Sequence, residues 1–174
     1  MKKVVFVVML LLGLGIFSSC EKEKVDFSSM LVGDWAVVGR RDDGSLSKTI
    51  VVNTYFSFKQ DGSVIEYSST DRIEEDRLFT GEAAPVYNTE TGELSIQGPY
   101  TWEKYDEGTY RIIDNEYLLV TSLNGFIYHD REQPLIHRSN DRIDLTAPSD
   151  QISPLTHKPV FGLTMLRIKK FSTK

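Results

Sequence analysis

The chain has 174 residues, 40% of them hydrophobic, and its 25 acidic against 20 basic residues give a formal net charge of −5. That balance argues against nucleic acid and anionic lipid headgroups as partners, because both are held by clustered Lys and Arg. A single cysteine excludes an intrachain disulfide, a thiolate zinc cluster and, once that residue is otherwise used, a thiol nucleophile.

The first element is an export segment. Met1-Lys2-Lys3 is a positively charged start, residues 4–17 are an apolar run, and Ser18-Ser19 places small residues before the lone thiol of Cys20. Charge, apolar core and small residues in that order make a secretory signal peptide. The apolar run spans 14 residues, short of the roughly 20 needed to cross a bilayer. Phe17-Ser18-Ser19-Cys20 resembles the lipobox of bacterial lipoproteins. The resemblance implies cleavage after residue 19, lipidation of Cys20 with acyl chains such as palmitate, and membrane attachment through that anchor. The alternative is a plain secretory signal whose cysteine is incidental. Cleavage removes two lysines and no acid, so the 155 remaining residues carry −7. That length suits one domain.

Residues 20–27 read as a lipidated tether, because Glu21-Lys22-Glu23-Lys24 cannot bury enough apolar surface to fold alone. Charged runs at this place resemble surface-display signals of some Gram-negative lipoproteins. The expected location is the cell envelope as an outer membrane lipoprotein, with both the periplasm-facing and the surface-exposed orientation open.

Residues 28–174 read as one all-β domain. Residues 49–59 are rich in β-branched and aromatic side chains, and Asp61-Gly62 follows as a two-residue hairpin turn. That turn pairs Phe58 with Ile65, Phe56 with Tyr67 and Thr54 with Ser69 on one face, and Lys59 with Val64, Ser57 with Glu66 and Tyr55 with Ser68 on the other. Further turns are expected at Thr91-Gly92, Glu107-Gly108, Asp114-Asn115 and Asn124-Gly125. They separate short strands at 93–97, 100–105, 109–113, 117–122 and 126–129. Residues 71–77 form a charged loop or helical turn. Residues 138–159 are an irregular excursion with one short strand at 142–146, and 160–171 close the chain as a final strand. Turns at this spacing favour a sandwich or barrel over βαβ units.

Leu31-Val32-Gly33-Asp34-Trp35 resembles the Gly-x-Trp opening of lipocalins. Phe56-Ser57-Phe58-Lys59-Gln60-Asp61-Gly62-Ser63-Val64 is similar to the Phe-x-x-Asp-Gly hairpin of bacterial lipocalin-like lipoproteins, and Thr109-Tyr110-Arg111-Ile112 with Leu118-Leu119-Val120-Thr121 resembles their later tyrosine-led hairpin. The Thr-Asp-Tyr type turn of lipocalins is absent. The resemblance implies a single antiparallel up-and-down β-barrel of about eight strands whose cup holds one small apolar or amphipathic ligand. It also implies that Gly33, Trp35 and Arg167 close one end, with the arginine over the indole.

Phe56, Phe58, Tyr67, Trp102 and Tyr110 are the expected ligand-binding wall. The competing reading is that the same aromatics simply fill the barrel, leaving a structural or accessory envelope lipoprotein that acts through protein contacts. No catalytic site, metal site or cofactor is expected. His129, His137 and His157 match no metal-ligand spacing, and neither a Gly-x-Ser-x-Gly elbow nor a Gly-rich phosphate loop occurs. His129-Asp130 and Glu74-Glu75-Asp76 read as solvated charges, with a weak divalent-cation site at the latter the only alternative.

Overall fold

The computed structural model describes residues 25–40, 45–70, 85–96, 100–126, 129–146 and 162–173. The signal peptide, Cys20, the Glu-Lys run, Glu74-Glu75-Asp76 and His157 lie outside these residues. A short helix, α1 (Phe27–Leu31), precedes twelve strands: β1 (Gly33–Arg40), β2 (Thr49–Val51), β3 (Thr54–Phe58), β4 (Ser63–Ser69), β5 (Val86–Asn88), β6 (Glu93–Ile96), β7 (Trp102–Ile113), β8 (Tyr117–Thr121), β9 (Glu132–Ser139), β10 (Arg142–Leu145), β11 (Gly162–Arg167) and β12 (Lys170–Thr173). Eight of them close into an antiparallel ring in the order β1-β3-β4-β7-β8-β9-β10-β11 and back to β1. The remaining four form a second sheet, β12-β6-β5-β2, in which β12 runs parallel to β6.

The expected β3–β4 hairpin is present with its register moved by one residue. Lys59 N donates to Ser63 O at 2.8 Å and Gly62 N donates to Lys59 O at 3.1 Å, so three residues, Gln60-Asp61-Gly62, make the loop. Gly62 sits at φ +86°, which favours glycine, and Asp61 Oδ1 accepts from both Ser63 N and Ser63 Oγ. Phe58 therefore faces Val64 instead of Ile65, Phe56 faces Glu66 instead of Tyr67, and Tyr55 faces Tyr67 instead of Ser68. Because side chains alternate along a strand, that single step turns β4 over. Val64 and Glu66 point into the ring and Tyr67 points out.

Other expectations need correction. Glu107-Gly108 is not a turn: it lies inside the 12-residue β7, where Gly108 leaves room for Leu123 to pack. Of the strand expected at 126–129, residues 127 and 128 lie outside the described residues, and neither Phe126 nor His129 is in a strand: Phe126 N donates to Leu123 O and His129 N to Phe126 O. β9 was not anticipated, because Pro134 and three charged or imidazole side chains, Glu132, His137 and Arg138, obscure its alternation. The final strand splits, with β11 closing the ring and β12 leaving it for the second sheet. Nor is 20–27 wholly a tether: Phe27 is buried, Val25 packs beside it, and Asp26 caps α1 by accepting from Ser28 N at 3.0 Å.

Two cores result. Inside the ring, Trp35, Phe56, Phe58, Val64, Leu118, Val120, Leu123, Phe126, Ile143, Leu145, Leu163 and Met165 are buried together, with Phe27 and Leu31 of α1. Each such side chain contributes about 1.5–3 kcal/mol on leaving water. Between ring and second sheet lies the other core, built from Ala36, Val38, Val52, Tyr55, Tyr87, Leu94, Leu166 and Ile168. The second sheet therefore covers the outer face of β1, β3 and β11.

Candidate functional site

One end of the ring is built as expected from Gly33, Trp35 and Arg167. Trp35 and Arg167 are directly paired across β1 and β11, and the guanidinium carbon lies 4.4 Å from the indole centre. Trp35 Nε1 donates to Leu31 O at 2.7 Å. Arg167 donates from Nη1 to Val32 O at 3.1 Å, from Nη2 to Met30 O, and from Nε to Asn140 O at 3.1 Å. It thus satisfies carbonyls at the C-terminus of α1 that no helical N–H can reach. Gly33 has φ +130°, and a Cβ there would lie 2.9 Å from Arg167 Nη1, so both backbone and space require glycine. Asn115 ties the β7–β8 turn to the same end by accepting from Phe27 N at 2.8 Å and donating to Val25 O.

The structure divides the five expected ligand-wall residues. Phe56, Phe58 and Tyr110 face into the ring. There the Phe126 ring meets Phe56 edge-on at 5.0 Å, Tyr110 meets Phe58 at 5.0 Å, and Tyr110 Oη donates to Lys59 O at 2.7 Å. Burial raises the Tyr110 phenol above its usual range, with the charge of Asp61 adding to the effect. Tyr67 and Trp102 lie on the outer face, where Tyr67 stacks on Tyr55 at 4.8 Å and Trp102 meets Tyr55 edge-on. Trp102 Nε1 is buried with no hydrogen-bond partner among the described residues. The five aromatics therefore belong to two separate faces.

Two polar side chains also lie inside the ring, Glu66 opposite Phe56 and Gln133 opposite Leu118, both fully buried. The Glu66 carboxylate packs directly on Gly125, where any Cβ would collide with both its oxygens. Residues 122–126 thus fold inward over the acid, carrying Leu123 and Phe126 into the core.

A concave site does occur, outside the ring. A cleft of about 370 Å³ opens between the β5–β6 turn, the β9–β10 turn and the β11–β12 link. Leu46 lines it together with the almost wholly buried Tyr87 and Leu166, while Glu90, Asp141, Arg142 and Lys169 bring two acids and two bases to its walls. Tyr87 Oη donates to Arg167 O at 2.8 Å. Burial, assisted by the charge of Asp141, pushes that phenol up to about 12. Asn88 Oδ1 accepts from the backbone N of Glu90 and Thr91, and Lys169 N donates to Gly92 O at 2.9 Å, so backbone bonds hold both turns. Sequence reasoning missed this site because its residues come from four separated segments, none of which carries a motif.

Elsewhere, Asp144 is buried on the outer face of β10. It accepts from Arg138 Nε at 2.7 Å, Arg142 Nε at 3.1 Å and Thr164 Oγ1 at 2.8 Å. Burial opposes ionisation, but these hydrogen bonds outweigh it and hold the carboxyl below its usual value. His129 Nε2 lies 3.9 Å from Asp130 with both side chains substantially exposed, and His137 packs edge-on against Phe27. Among the described residues, no three of His, Cys, Asp and Glu converge in a way that would hold a metal ion. No protein-family model matches the chain. No curated protein matches its sequence.

Proposed function

We propose that this chain is a lipid-anchored lipoprotein of the bacterial cell envelope, lipocalin-like in fold, with a filled up-and-down barrel that works without catalysis through contacts made by its outer surface. The observation that carries the reading is the occupation of the ring: fourteen buried apolar side chains pack there, including Leu123 and Phe126 inserted from a loop. Small barrels commonly fill in this way. A small apolar or amphipathic ligand in the ring, the leading expectation from sequence, is less well supported, because Phe56, Phe58 and Tyr110 already have aromatic or hydrogen-bonded neighbours and Tyr67 and Trp102 face away.

Two measurements test the proposal. Cys20→Ala should move the protein from the membrane to the soluble envelope fraction, and unchanged fractionation would sink the anchor. Native mass spectrometry of protein from its own host should give the mass of the lipidated chain alone. A copurifying apolar molecule displaced by Phe58→Trp would return the ligand to the ring.

A further inference from the structure

We infer that the cleft beside Tyr87 binds a small zwitterion, of the chemical class of a free amino acid or a dipeptide. At about 370 Å³ it exceeds the roughly 300 Å³ from which small-molecule sites begin. Its composition matches that class, because the charged groups at its walls carry both signs. Glu90 and Asp141 can receive an ammonium and Lys169 a carboxylate, while Arg142 is held by the buried Asp144. Half-buried Leu46 is the apolar lining residue open to the ligand's body, since Tyr87 and Leu166 are almost wholly buried. An ion of one sign would face like charge there.

The wall charges are available at small cost. Lys169 Nζ pairs with Asp141 at 2.5 Å while the two side chains are 48% and 45% exposed, and Lys48 Nζ pairs with Glu90 at 2.9 Å while they are 68% and 62% exposed. Solvent-exposed pairs of this kind contribute little to stability, so a ligand that supplies one charge to each member exchanges its contacts without a large loss. The floor, in contrast, is fixed. Tyr87 and Leu166 belong to the core between ring and second sheet, and Gly92, at φ +71°, lets the Lys169 stem lie directly against the β5–β6 turn. A charged rim that can be redirected over a rigid base orients a ligand by its two ends.

The test is isothermal titration of the full-length protein in detergent with L-leucine, L-phenylalanine and the dipeptide Leu-Leu. N-acetyl-L-phenylalanine and L-phenylalaninamide serve as forms with one charge removed. At least one zwitterion should bind, and each blocked form of phenylalanine should bind at least tenfold more weakly than phenylalanine itself. Glu90→Gln and Lys169→Met should each weaken the best zwitterion at least fivefold, and Lys169→Arg should restore it. Unchanged circular dichroism separates these effects from misfolding. Absence of heat with all three zwitterions, equal binding of the blocked forms, or indifference to both substitutions would overturn the inference. None of these outcomes depends on the anchor at Cys20 or on the filling of the ring.

Discussion

Arg167 lies over Trp35 with its guanidinium carbon 4.4 Å from the indole centre, and the same group donates to Met30 and Val32 carbonyls at the end of α1. One side chain therefore joins the last ring strand, the first ring strand and the helix that covers their end. Arg167→Ala should destabilise the protein by about 3 kcal/mol, adding a cation–π contact to lost charge-assisted hydrogen bonds. Lysine should recover less than half of this, since it lacks the planar fork that reaches two carbonyls and the ring together. Urea midpoints of the two variants measure both values.

Gly125 and Glu66 touch where residues 122–126 enter the ring. Gly125→Ala should cost about 2 kcal/mol through overpacking. In a Glu66→Ala background the same substitution should cost less than half as much, because the obstructing carboxylate is gone. A double-mutant cycle gives the coupling, and an additive result would mean that the loop moves aside freely.

Asp144 makes stability depend on acid. Its folded carboxyl is held below the unfolded value of about 3.9, so its contribution is complete above that pH and is lost as pH falls through the folded value. Asp144→Asn should flatten the decline in thermal midpoint below about pH 4. It should also lower the midpoint at neutral pH, where Arg138 and Arg142 lose their shared acceptor.

Tyr87 acts at the opposite limit. With its folded phenol raised to about 12 against an unfolded value near 10, its stabilising contribution is present below pH 10 and is lost as pH climbs toward 12. Tyr55, raised by burial and then by Asp34 and Tyr67, changes in the same sense. Tyr87→Phe should cost about 1 kcal/mol at neutral pH, for the bond to Arg167 O, and reduce the alkaline loss. Denaturant titrations at pH 7, 10 and 11.5 show both effects.

Much of the strand pattern was legible from local chemistry. Trp35 with Arg167 could be paired in advance only through the resemblance of Leu31-Val32-Gly33-Asp34-Trp35 to the lipocalin opening, which implies a basic residue of the last strand over the indole, whereas the β3–β4 hairpin announced itself through Asp61-Gly62. The register escaped because Asp-Gly serves equally in a two-residue loop and in a three-residue loop that places glycine last, and the two differ in which face of β4 is buried, here Val64 and not Ile65. From that slip followed the misplacement of Tyr67 and the unexpected burial of Glu66. The second sheet was illegible for a different reason. Its strands have three or four residues each, too few for periodicity to register, and their partners are remote in sequence. The cleft inherits that difficulty, since it exists only where β5 and β6 meet the ring.

The seam between β1 and β11 and the parallel edge between β6 and β12 both join segments remote in sequence. The early hairpins can form locally, yet β1 stays without its second neighbour until β11 is in place. Such distant closure is slow. Until β11 and β12 dock, β1 and β6 each carry an unpaired strand edge, the kind of surface that recruits other chains.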